Sequence, residues 1–332
     1  MPNADIEAFE QIGAKLTEAR EMISRRIIGQ AHVVDETLIA ILCGGHGLLV
    51  GAPGLAKTRL VEVMGTVLGL NTNRVQFTPD LMPADILGAE VLETASDGSR
   101  AFRFIEGPIF CQLLMADEIN RASPRTQSAL LQAMQEHHVS VAGKRRDLAS
   151  PFHVLATQNP IEQEGTYPLP EAQLDRFLLQ IDVDYPDRDA ERDILLATTG
   201  VEDAAVSPVF DAAGLIAAQT AIRRMPIGES IIEAILDLVR AARPGADASD
   251  LVNTSVNWGP GPRAAQALSL AVRARALMDG RFAPNADDVA ALAHPVLKHR
   301  MALGFAARAE GMTVDGLIST LVEQVLGERS TA

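Results

Sequence analysis

The sequence predicts an α/β fold in which a parallel sheet is covered by helices on both faces, followed by a mainly helical region. Apolar segments of strand length alternate with helical segments through the first half of the chain. The five predicted strands span residues 47–50, 74–78, 112–116, 152–157 and 178–183. Turn-forming residues follow the last strand, and Ala- and Leu-rich segments come after them. We therefore expect a nucleotide-binding sheet domain at 1–184 and a helical lid domain at 185–332.

Helical periodicity supports this division. Apolar residues recur at helical spacing from Ile6 to Ile23 and again from Val33 to Leu42, which predicts two helices before the first strand. In the second half, the predicted helices span 190–198, 229–242, 262–278, 286–297 and 314–326. Ser123, followed by Pro124, and Asn285 have the side chains expected at helix N-termini.

The first strand runs into a sequence typical of a phosphate-binding loop. A loop between a strand and a helix directs backbone N–H groups and the positive end of the helix dipole at one point, where a polyphosphate binds. In the pattern G-x-x-x-x-G-K-[ST], the lysine contacts phosphates and the hydroxyl contacts Mg²⁺. The predicted loop consists of Gly51, Ala52, Pro53, Gly54, Leu55, Ala56, Lys57 and Thr58.

Ala56 departs from this pattern, which has glycine before the lysine. Its methyl group restricts the backbone. Alanine suits the position if Ala56 already has negative φ at the start of the helix, and we expect that conformation. The alternative is an ordinary Gly/Pro turn followed by a solvated lysine.

Adjacent carboxylates end the third predicted strand, where an apolar segment runs into Asp117 and Glu118. At the carboxyl end of a parallel strand beside a phosphate loop, Asp117 would hold the Mg²⁺ shell and Glu118 would polarise the attacking water. The alternative is a solvated acidic turn.

These motifs and the residues around them resemble the MoxR family of AAA+ ATPases. The resemblance extends through 76–85, 107–110 and 116–136, and it is closest at 156–177. The phosphate loop of this family also has alanine before the lysine. The resemblance implies a five-stranded AAA+ sheet in the order 5-1-4-3-2, a C-terminal all-helical lid, ATP and Mg²⁺ as ligands, and assembly into a ring, expected to be a hexamer.

Further site residues follow from the resemblance. Ile28 and Gly29 match a segment that lies against adenine, and Asn159 matches the sensor that orients the lytic water. Arg176 matches the arginine finger that reaches a neighbouring subunit's nucleotide, and Arg263 matches the second sensor arginine, which couples lid position to the γ-phosphate. The alternatives are a helix entry for Ile28 and Gly29, an ordinary turn for Asn159, an ion pair of Arg176 with a local carboxylate such as Asp175, and a solvated helix-end arginine for Arg263.

Two hairpins are predicted as insertions within the sheet domain. The first lies between Pro83 and Pro108 around a turn at Asp97 and Gly98, and the second runs from Val139 to Leu148. The resemblance places both towards the pore of a ring, where they could act on a partner. The alternative is a pair of solvated surface hairpins.

Composition restricts the class of protein. The 332 residues include 29 basic and 43 acidic side chains, a net charge of −14, which opposes a surface built mainly for nucleic acid. Cys43 and Cys111 lie in apolar segments and are expected to be buried and reduced. The acidic N-terminal segment and the lack of a long apolar run predict a cytoplasmic protein without membrane insertion.

The motifs thus predict an Mg²⁺-dependent ATPase, and the resemblance implies that it remodels or activates a partner protein complex. By resemblance alone, the partner could carry a von Willebrand factor A domain, and metal or cofactor insertion is a possible outcome. One alternative is a DNA motor, for which the basic residues Lys144, Arg145 and Arg146 would be the first candidates. The other is an ATP-gated scaffold with little hydrolysis.

Overall fold

The computed structural model describes residues 3–94, 99–162, 165–199, 205–246 and 248–327. Two helices come first, α1 (Asn3–Ser24) and α2 (Ala31–Leu42). The predicted apolar stripe of α1 is directed inward, with Phe9, Leu16 and Ile23 buried. This face packs on α2 and on helices of the second half of the chain, so the opening helix is part of the main core.

A five-stranded parallel sheet follows, with the predicted connectivity. Its strands lie in the order β2-β5-β8-β1-β9, and numbering these five strands along the chain gives the expected order 5-1-4-3-2. The elements of this part are β1 (Gly47–Gly51), α3 (Lys57–Val67), β2 (Thr72–Gln76), α4 (Pro83–Leu87), β3 (Gly88–Thr94), β4 (Arg100–Glu106), β5 (Leu113–Asp117), α5 (Pro124–Glu136), β6 (His138–Val141), β7 (Lys144–Asp147), β8 (His153–Gln158), α6 (Glu171–Leu174) and β9 (Leu179–Val183).

The central strands are covered on both faces. All of β5 is buried, as are the first five residues of β8. Continuous apolar strands of this kind are expected in parallel sheets that carry helices on each side. Ser123 caps α5, with its hydroxyl accepting from the backbone N–H of Thr126, and Pro124 occupies the first turn. Leu130, Leu131 and Met134 of α5 face the core as predicted.

Both predicted hairpins are present. The first pairs β3 with β4 and the second pairs β6 with β7, each antiparallel. The predicted turn at Asp97 and Gly98 lies outside the described residues. The hairpins contact one another, because Lys144 and Arg146 both lie near the carboxylate of Glu90 and Arg146 stacks on the ring of Phe104.

The second half of the chain is mainly helical. The five predicted helices are present, but those at Ala212–Arg224, Asp250–Ser255 and Phe305–Ala309 were not predicted. A short antiparallel pair, Val256–Trp258 with Ala302–Leu303, adds strands to a region expected to be all helical. The elements are α7 (Arg188–Thr199), α8 (Ala212–Arg224), α9 (Glu229–Ala241), α10 (Asp250–Ser255), β10 (Val256–Trp258), α11 (Pro262–Met278), α12 (Ala286–Leu297), β11 (Ala302–Leu303), α13 (Phe305–Ala309) and α14 (Val314–Gly327).

Packing joins the two halves. One buried cluster includes side chains from α1, α2, β1 and α3 together with α8, α9, α11, α12 and α14. The boundary at 184 stays a prediction, since helices on both sides of it share this core. Asn285 caps α12 in a reciprocal capping box with Asp288, as its sequence predicts. No helix among the described residues combines the length and apolar character needed to cross a bilayer.

Candidate nucleotide site

The predicted phosphate loop connects the carboxyl end of β1 to the first turn of α3. Gly51 must be glycine, because a Cβ there would lie 2.3 Å from the carbonyl oxygen of Val183 on the neighbouring strand. Gly54 has φ of +84°, a conformation that favours glycine. The loop therefore has the tight, exposed backbone that a polyphosphate cradle requires.

Lys57 lies across this loop. Its Nζ donates to the carbonyl oxygens of Gly51 at 2.6 Å and of Ala52 at 2.9 Å. Burial lowers the pKa of Lys57, and the nearby carboxylates Asp117 and Glu118 act in the opposite direction. The structure thus brings the predicted phosphate-binding lysine near Asp117, predicted to hold the metal, and near Glu118, predicted to polarise the attacking water.

The expected conformation of Ala56 is wrong. Ala56 has φ of +57° and ψ of 18°, a left-handed conformation at the N-cap of α3, where negative φ was predicted. The loop must reverse direction immediately before the helix, and this geometry overrides the helical preference of alanine. A non-glycine residue in this region costs about 1–2 kcal/mol. The loop consequently holds backbone strain next to Lys57, as functional loops often do.

Asp117 lies at the end of β5 and is held by two neighbours. The hydroxyl of Thr157 donates to Asp117 Oδ1 at 2.7 Å, and Arg74 contacts Oδ2 at 2.6 Å. The same Thr157 hydroxyl accepts from the backbone N–H of Glu118 at 2.8 Å. Asp117 is 9% exposed, so its carboxylate is oriented by β2 and β8 on either side of its own strand.

Glu118 follows in a left-handed conformation with φ of +55°. Its Oε2 accepts from Gln76 Nε2 at 2.8 Å and from Arg121 Nη1 at 3.0 Å. Arg74, Gln76, Arg121 and Thr157 were not predicted as site residues. A signal did exist for the first two, since Arg74 and Gln76 are two residues apart and therefore face the same side of β2, and the expected strand order puts β2 beside β5.

The oxygen donors fit Mg²⁺. Thr58 lies in the first turn of α3 next to Lys57, and Asp117 is the last residue of β5. Mg²⁺ takes hard oxygen ligands and is bound by one or two protein groups together with phosphate oxygens and water. Among the described residues, no cluster of three or more His, Cys, Asp or Glu side chains could hold a metal alone.

Asn159 comes just after β8, between the strands that carry the phosphate loop and Asp117, as predicted. Its side chain is 6% exposed, and Oδ1 accepts from the backbone N–H of Ile161 at 3.1 Å. The side-chain amide thus lies at the same edge of the sheet as Thr157 and the two carboxylates. Its role as a sensor stays a prediction.

A cavity of about 190 Å³ adjoins the loop and is suited to a base. Its lining joins Ile28 to the loop residues Gly54, Leu55 and Ala56, and to α7 on the opposite wall. Gly29 plays a different part there. Its φ is +74°, and a Cβ would lie 2.4 Å from the Cβ of Ala190, so this glycine allows α7 to pack closely.

Arg176 and Arg263 share a second cavity, of about 250 Å³, with Gly45, His46 and Arg300. The expected alternative for Arg176, an ion pair with Asp175, is not observed. Asp175 instead contacts two arginines of the helical region, Arg300 at 2.8 Å and Arg263 at 3.5 Å. Within the described chain, Arg176 makes no ion pair.

This second cavity lies at the opposite edge of the sheet from the phosphate loop. Gly45 and His46 precede β1, and Arg176 precedes β9, whereas the loop follows β1 and all five strands are parallel. The length of β1 separates the two edges by roughly 15 Å at about 3.3 Å per residue. Both arginines therefore lie at the sheet edge away from the phosphate loop of their own chain. The roles of Arg176 as finger and of Arg263 as second sensor stay predictions.

His46 and His153 lie buried beside this cavity and are neutral. Burial lowers the pKa of His46 to about 3 and that of His153 to about 4. His46 Nδ1 accepts from the backbone N–H of Val154, so Nε2 carries the proton towards the carbonyl of Met134. The cavity's charge therefore comes from arginines and Asp175.

Cys43 and Cys111 are buried and unpaired with one another, as expected. Burial raises the pKa of the Cys43 thiol to about 12 and that of Cys111 to about 11. Both thiols are consequently unreactive at neutral pH.

The fold and the phosphate loop define a P-loop ATPase of the AAA class with a lid. Residues 46–179 match the family profile described as "ATPase family associated with various cellular activities (AAA)", and residues 248–321 match the AAA lid domain. The chain is 39% identical to "Chaperone MoxR1" of Mycobacterium tuberculosis, over 91% of this chain and 80% of that protein. It is 34% identical to "Protein MoxR" of Paracoccus denitrificans, over 87% and 89% of the two chains.

Two other similarities cover almost the whole chain. The "Uncharacterized protein YeaC" of Bacillus subtilis is 38% identical over 95% of this chain and 96% of its own. A crystal structure from Cytophaga hutchinsonii, described provisionally as an ATPase, superposes with a TM-score of 0.88 at 35% identity, covering 96% of each chain. The chain belongs to the MoxR family of AAA+ ATPases.

Proposed function

We propose that this protein hydrolyses ATP with Mg²⁺ in a ring of identical subunits, expected to be a hexamer, and uses the cycle to remodel or activate a partner protein complex. The observation that supports it best is the separation of the two half-sites. Lys57, Asp117 and Glu118 lie at one edge of the sheet, and Arg176 and Arg263 lie at the other. A head-to-tail ring brings the second edge of one subunit to the first edge of the next.

The residues at the loop edge have separate roles. Backbone N–H groups of residues 51–58 and the Lys57 ammonium bind the phosphates. Thr58 and Asp117 would hold a magnesium ion, which would supply positive charge for the phosphate oxygens. Glu118 accepts a hydrogen bond from water and aligns it for attack, and Asn159 orients the same water.

Glu118 has to be released for this role. Its carboxylate is engaged by Gln76 and Arg121 in the present conformation. Breaking these contacts while a neighbour's arginines approach would couple hydrolysis to assembly. Arg176 of that neighbour stabilises charge that spreads over the γ-phosphoryl oxygens, and the neighbour's Arg263 contacts the same group. Such an arginine raises turnover by ~10³-fold or more in related phosphoryl transfers.

Mixing two inactive variants tests the composite site. Glu118→Gln lacks the base and Arg176→Ala lacks the finger, and each should bind ATP but hydrolyse it slowly. In a random mixture, about a quarter of the interfaces join an intact Glu118 to an intact Arg176 from the neighbour. Turnover should recover to a comparable fraction of native activity.

Two results would contradict this mechanism. If Arg176 acted within its own chain, the mixture would stay as slow as its components. If Arg176→Ala hydrolysed ATP like the native protein at assembling concentrations, the finger assignment would be wrong. Arg308→Ala is the matched control, since Arg308 is exposed on the lid and lines neither half-site.

The remodelling role is inferred from the relatives. One relative bears the name chaperone, and the hairpin of β3 and β4 offers exposed apolar side chains, with Phe102 71% and Ile105 53% exposed. These are suitable for contact with a protein client, and a von Willebrand factor A domain partner is implied by family resemblance alone. Metal or cofactor insertion would be one outcome of such remodelling. Capture of a client on ATP-loaded Glu118→Gln, compared with Lys57→Ala, which should not hold ATP, tests this role.

The two alternative functions make different predictions. A DNA motor would need a free basic surface, but Lys144 and Arg146 contact Glu90, and Arg146 is stacked on Phe104. We therefore expect no salt-sensitive stimulation of turnover by DNA. A scaffold would bind ATP with equally negligible hydrolysis in the native chain and in Glu118→Gln, whereas an ATPase loses its turnover on this change.

A further inference from the structure

The helical region carries an apolar groove of about 480 Å³ between α8, α9 and α11. Its lining includes the apolar residues Ile235, Leu236 and Leu270 and the basic residues Arg223 and Arg273. Leu236 is 41% exposed. Arg273 donates through Nη1 to the backbone carbonyl and hydroxyl of Ser269, but its buried Nε has no hydrogen-bond partner within the described chain. We call this feature the lid groove.

Helix α7 has the complementary character. None of its side chains is buried, and Leu195 and Leu196 are 60% and 61% exposed. Glu191 lies four residues before Leu195 and Asp193 lies three residues before Leu196, so each leucine has a carboxylate on its own face of the helix. Adjacent exposed leucines on one short helix indicate a contact surface.

The positions of the two surfaces connect them to the composite site. Gln266 and Leu270 line both the lid groove and the cavity of Arg176 and Arg263, so these two hollows are continuous along α11. Helix α7 forms a wall of the nucleotide cavity through Ile194, Ala197 and Thr198. When the arginine cavity of one subunit meets the nucleotide of the next, the groove of the first therefore comes beside α7 of the second.

We propose that the lid groove receives helix α7 of a second copy of this chain. Leu195 and Leu196 pack on Leu236 and Leu270, and the carboxylates of Glu191 and Asp193 face Arg223 and Arg273. This inference rests on the proposed function, because the composite site brings the surfaces together. This contact would hold Arg176 of one subunit at the phosphate of the next. It would also transmit a movement of α7 in one subunit to the lid of its neighbour.

Cross-linking between two singly substituted chains tests the contact. Leu195→Cys and Leu236→Cys proteins are mixed with ATP and Mg²⁺ and treated with a short bis-maleimide, and covalent dimers are measured on a denaturing gel. The native Cys43 and Cys111 are buried and should not react. The matched control replaces Leu236→Cys by Leu251→Cys, since Leu251 is 40% exposed on α10 and does not line the groove. We expect a several-fold higher dimer yield with Leu236→Cys.

Charge reversal provides a second measurement. Arg223→Glu should raise the protein concentration needed for half-maximal ATP turnover by about tenfold, because a like charge would then face α7. Arg224→Glu is the matched control, since Arg224 is also exposed but lies outside the groove. Equal effects of the two reversals would overturn the proposal, as would a dimer yield no higher than with Leu251→Cys.

These outcomes separate the contact from the composite site. If mixed Glu118→Gln and Arg176→Ala proteins recover turnover while the groove cross-link fails, the groove proposal alone is wrong. If the cross-link forms while turnover does not recover, the groove contact stands and the catalytic assignment of Arg176 fails.

Discussion

Arg300 is the side chain through which the helical region holds the segment carrying Arg176. It is 2% exposed and follows α12. Its guanidinium donates to Asp175 Oδ1 at 2.8 Å and to the backbone carbonyl oxygens of Phe177 at 2.7 Å, Leu178 at 3.1 Å and Val296 at 2.5 Å. Changing Arg300→Lys keeps the charge but removes the planar fork of donors.

The expected loss of stability follows from the number of acceptors to which Arg300 donates. An ammonium group has three donors on one nitrogen, whereas the arginine serves a carboxylate and several carbonyls in fixed directions. The carbonyl oxygen of Phe177 also accepts from His299 Nε2 at 3.0 Å, so those of Leu178 and Val296 are the two that would lose the arginine donor, at about 1–3 kcal/mol each. We expect Arg300→Lys to lower the free energy of unfolding by about 2–6 kcal/mol and the melting temperature by ~5 °C or more.

Function should change in a selective way. The phosphate loop lies at the opposite edge of the sheet, so ATP binding by Arg300→Lys should stay close to native, as measured with a fluorescent nucleotide. Turnover in assembled protein should fall, because the Arg176 segment is no longer fixed. Arg308→Lys, on an exposed part of the same lid, is the control. A variant with native melting temperature and native turnover would refute this account of Arg300.

Three further changes test other parts of the structure. Burial, reinforced by Asp182 and Asp35, raises the pKa of Glu36 from 4.5 to about 8; because the unfolded chain ionises first, stability falls as pH rises between these values. Glu36→Gln should therefore raise the melting temperature at pH 7 and leave it unchanged at pH 4.5, whereas the exposed Glu233→Gln should change it at neither pH. The gain in the free energy of unfolding from Glu36→Gln should be up to ~3 kcal/mol at pH 7, from about 1.4 kcal/mol for each pH unit above 4.5. The buried, neutral His46 and His153 have lowered pKa values, so the free energy of unfolding should also fall as the pH drops below 6.5 towards 4. The Glu36→Gln variant isolates this effect, and a melting temperature that stays constant in this variant over that pH range would contradict it. Ala56→Gly should relieve the strain of the left-handed backbone. It should raise the free energy of unfolding by up to ~1 kcal/mol after the greater flexibility of glycine in the unfolded chain is included. A lower free energy of unfolding in urea titrations would show that Ala56 is not strained.

Much of the fold was predictable because its signals are local. Each strand of the sheet is a short apolar run next to a turn, and the helix starts at Ser123 and Asn285 rest on hydrogen bonds within three residues. The strand order came from family resemblance rather than from periodicity. Helix α8 was not predicted, although Asp211 caps it through the backbone N–H of Gly214.

The two contiguous motifs of the site were predictable for the same reason. Lys57 and Thr58 lie in one contiguous motif, and Asp117 and Glu118 lie in another, so the sequence alone indicated phosphate and magnesium chemistry. The neighbours that orient these carboxylates were missed, because Gln76 and Thr157 lie about forty residues away on adjacent strands.

What the sequence determined by itself was the chemistry of each short segment: a loop for phosphate, paired carboxylates, and a chain that alternates strands with helices. Tertiary structure decided where the segments stand. It put Arg176 and Arg263 at the sheet edge opposite the loop. It also placed Arg300 against Asp175 and the residues that follow Arg176, and it set the left-handed backbone of Ala56. The physical reason is range, since hydrogen bonds within a turn depend on neighbouring residues, whereas the edge at which a side chain lies depends on the packing of the whole sheet.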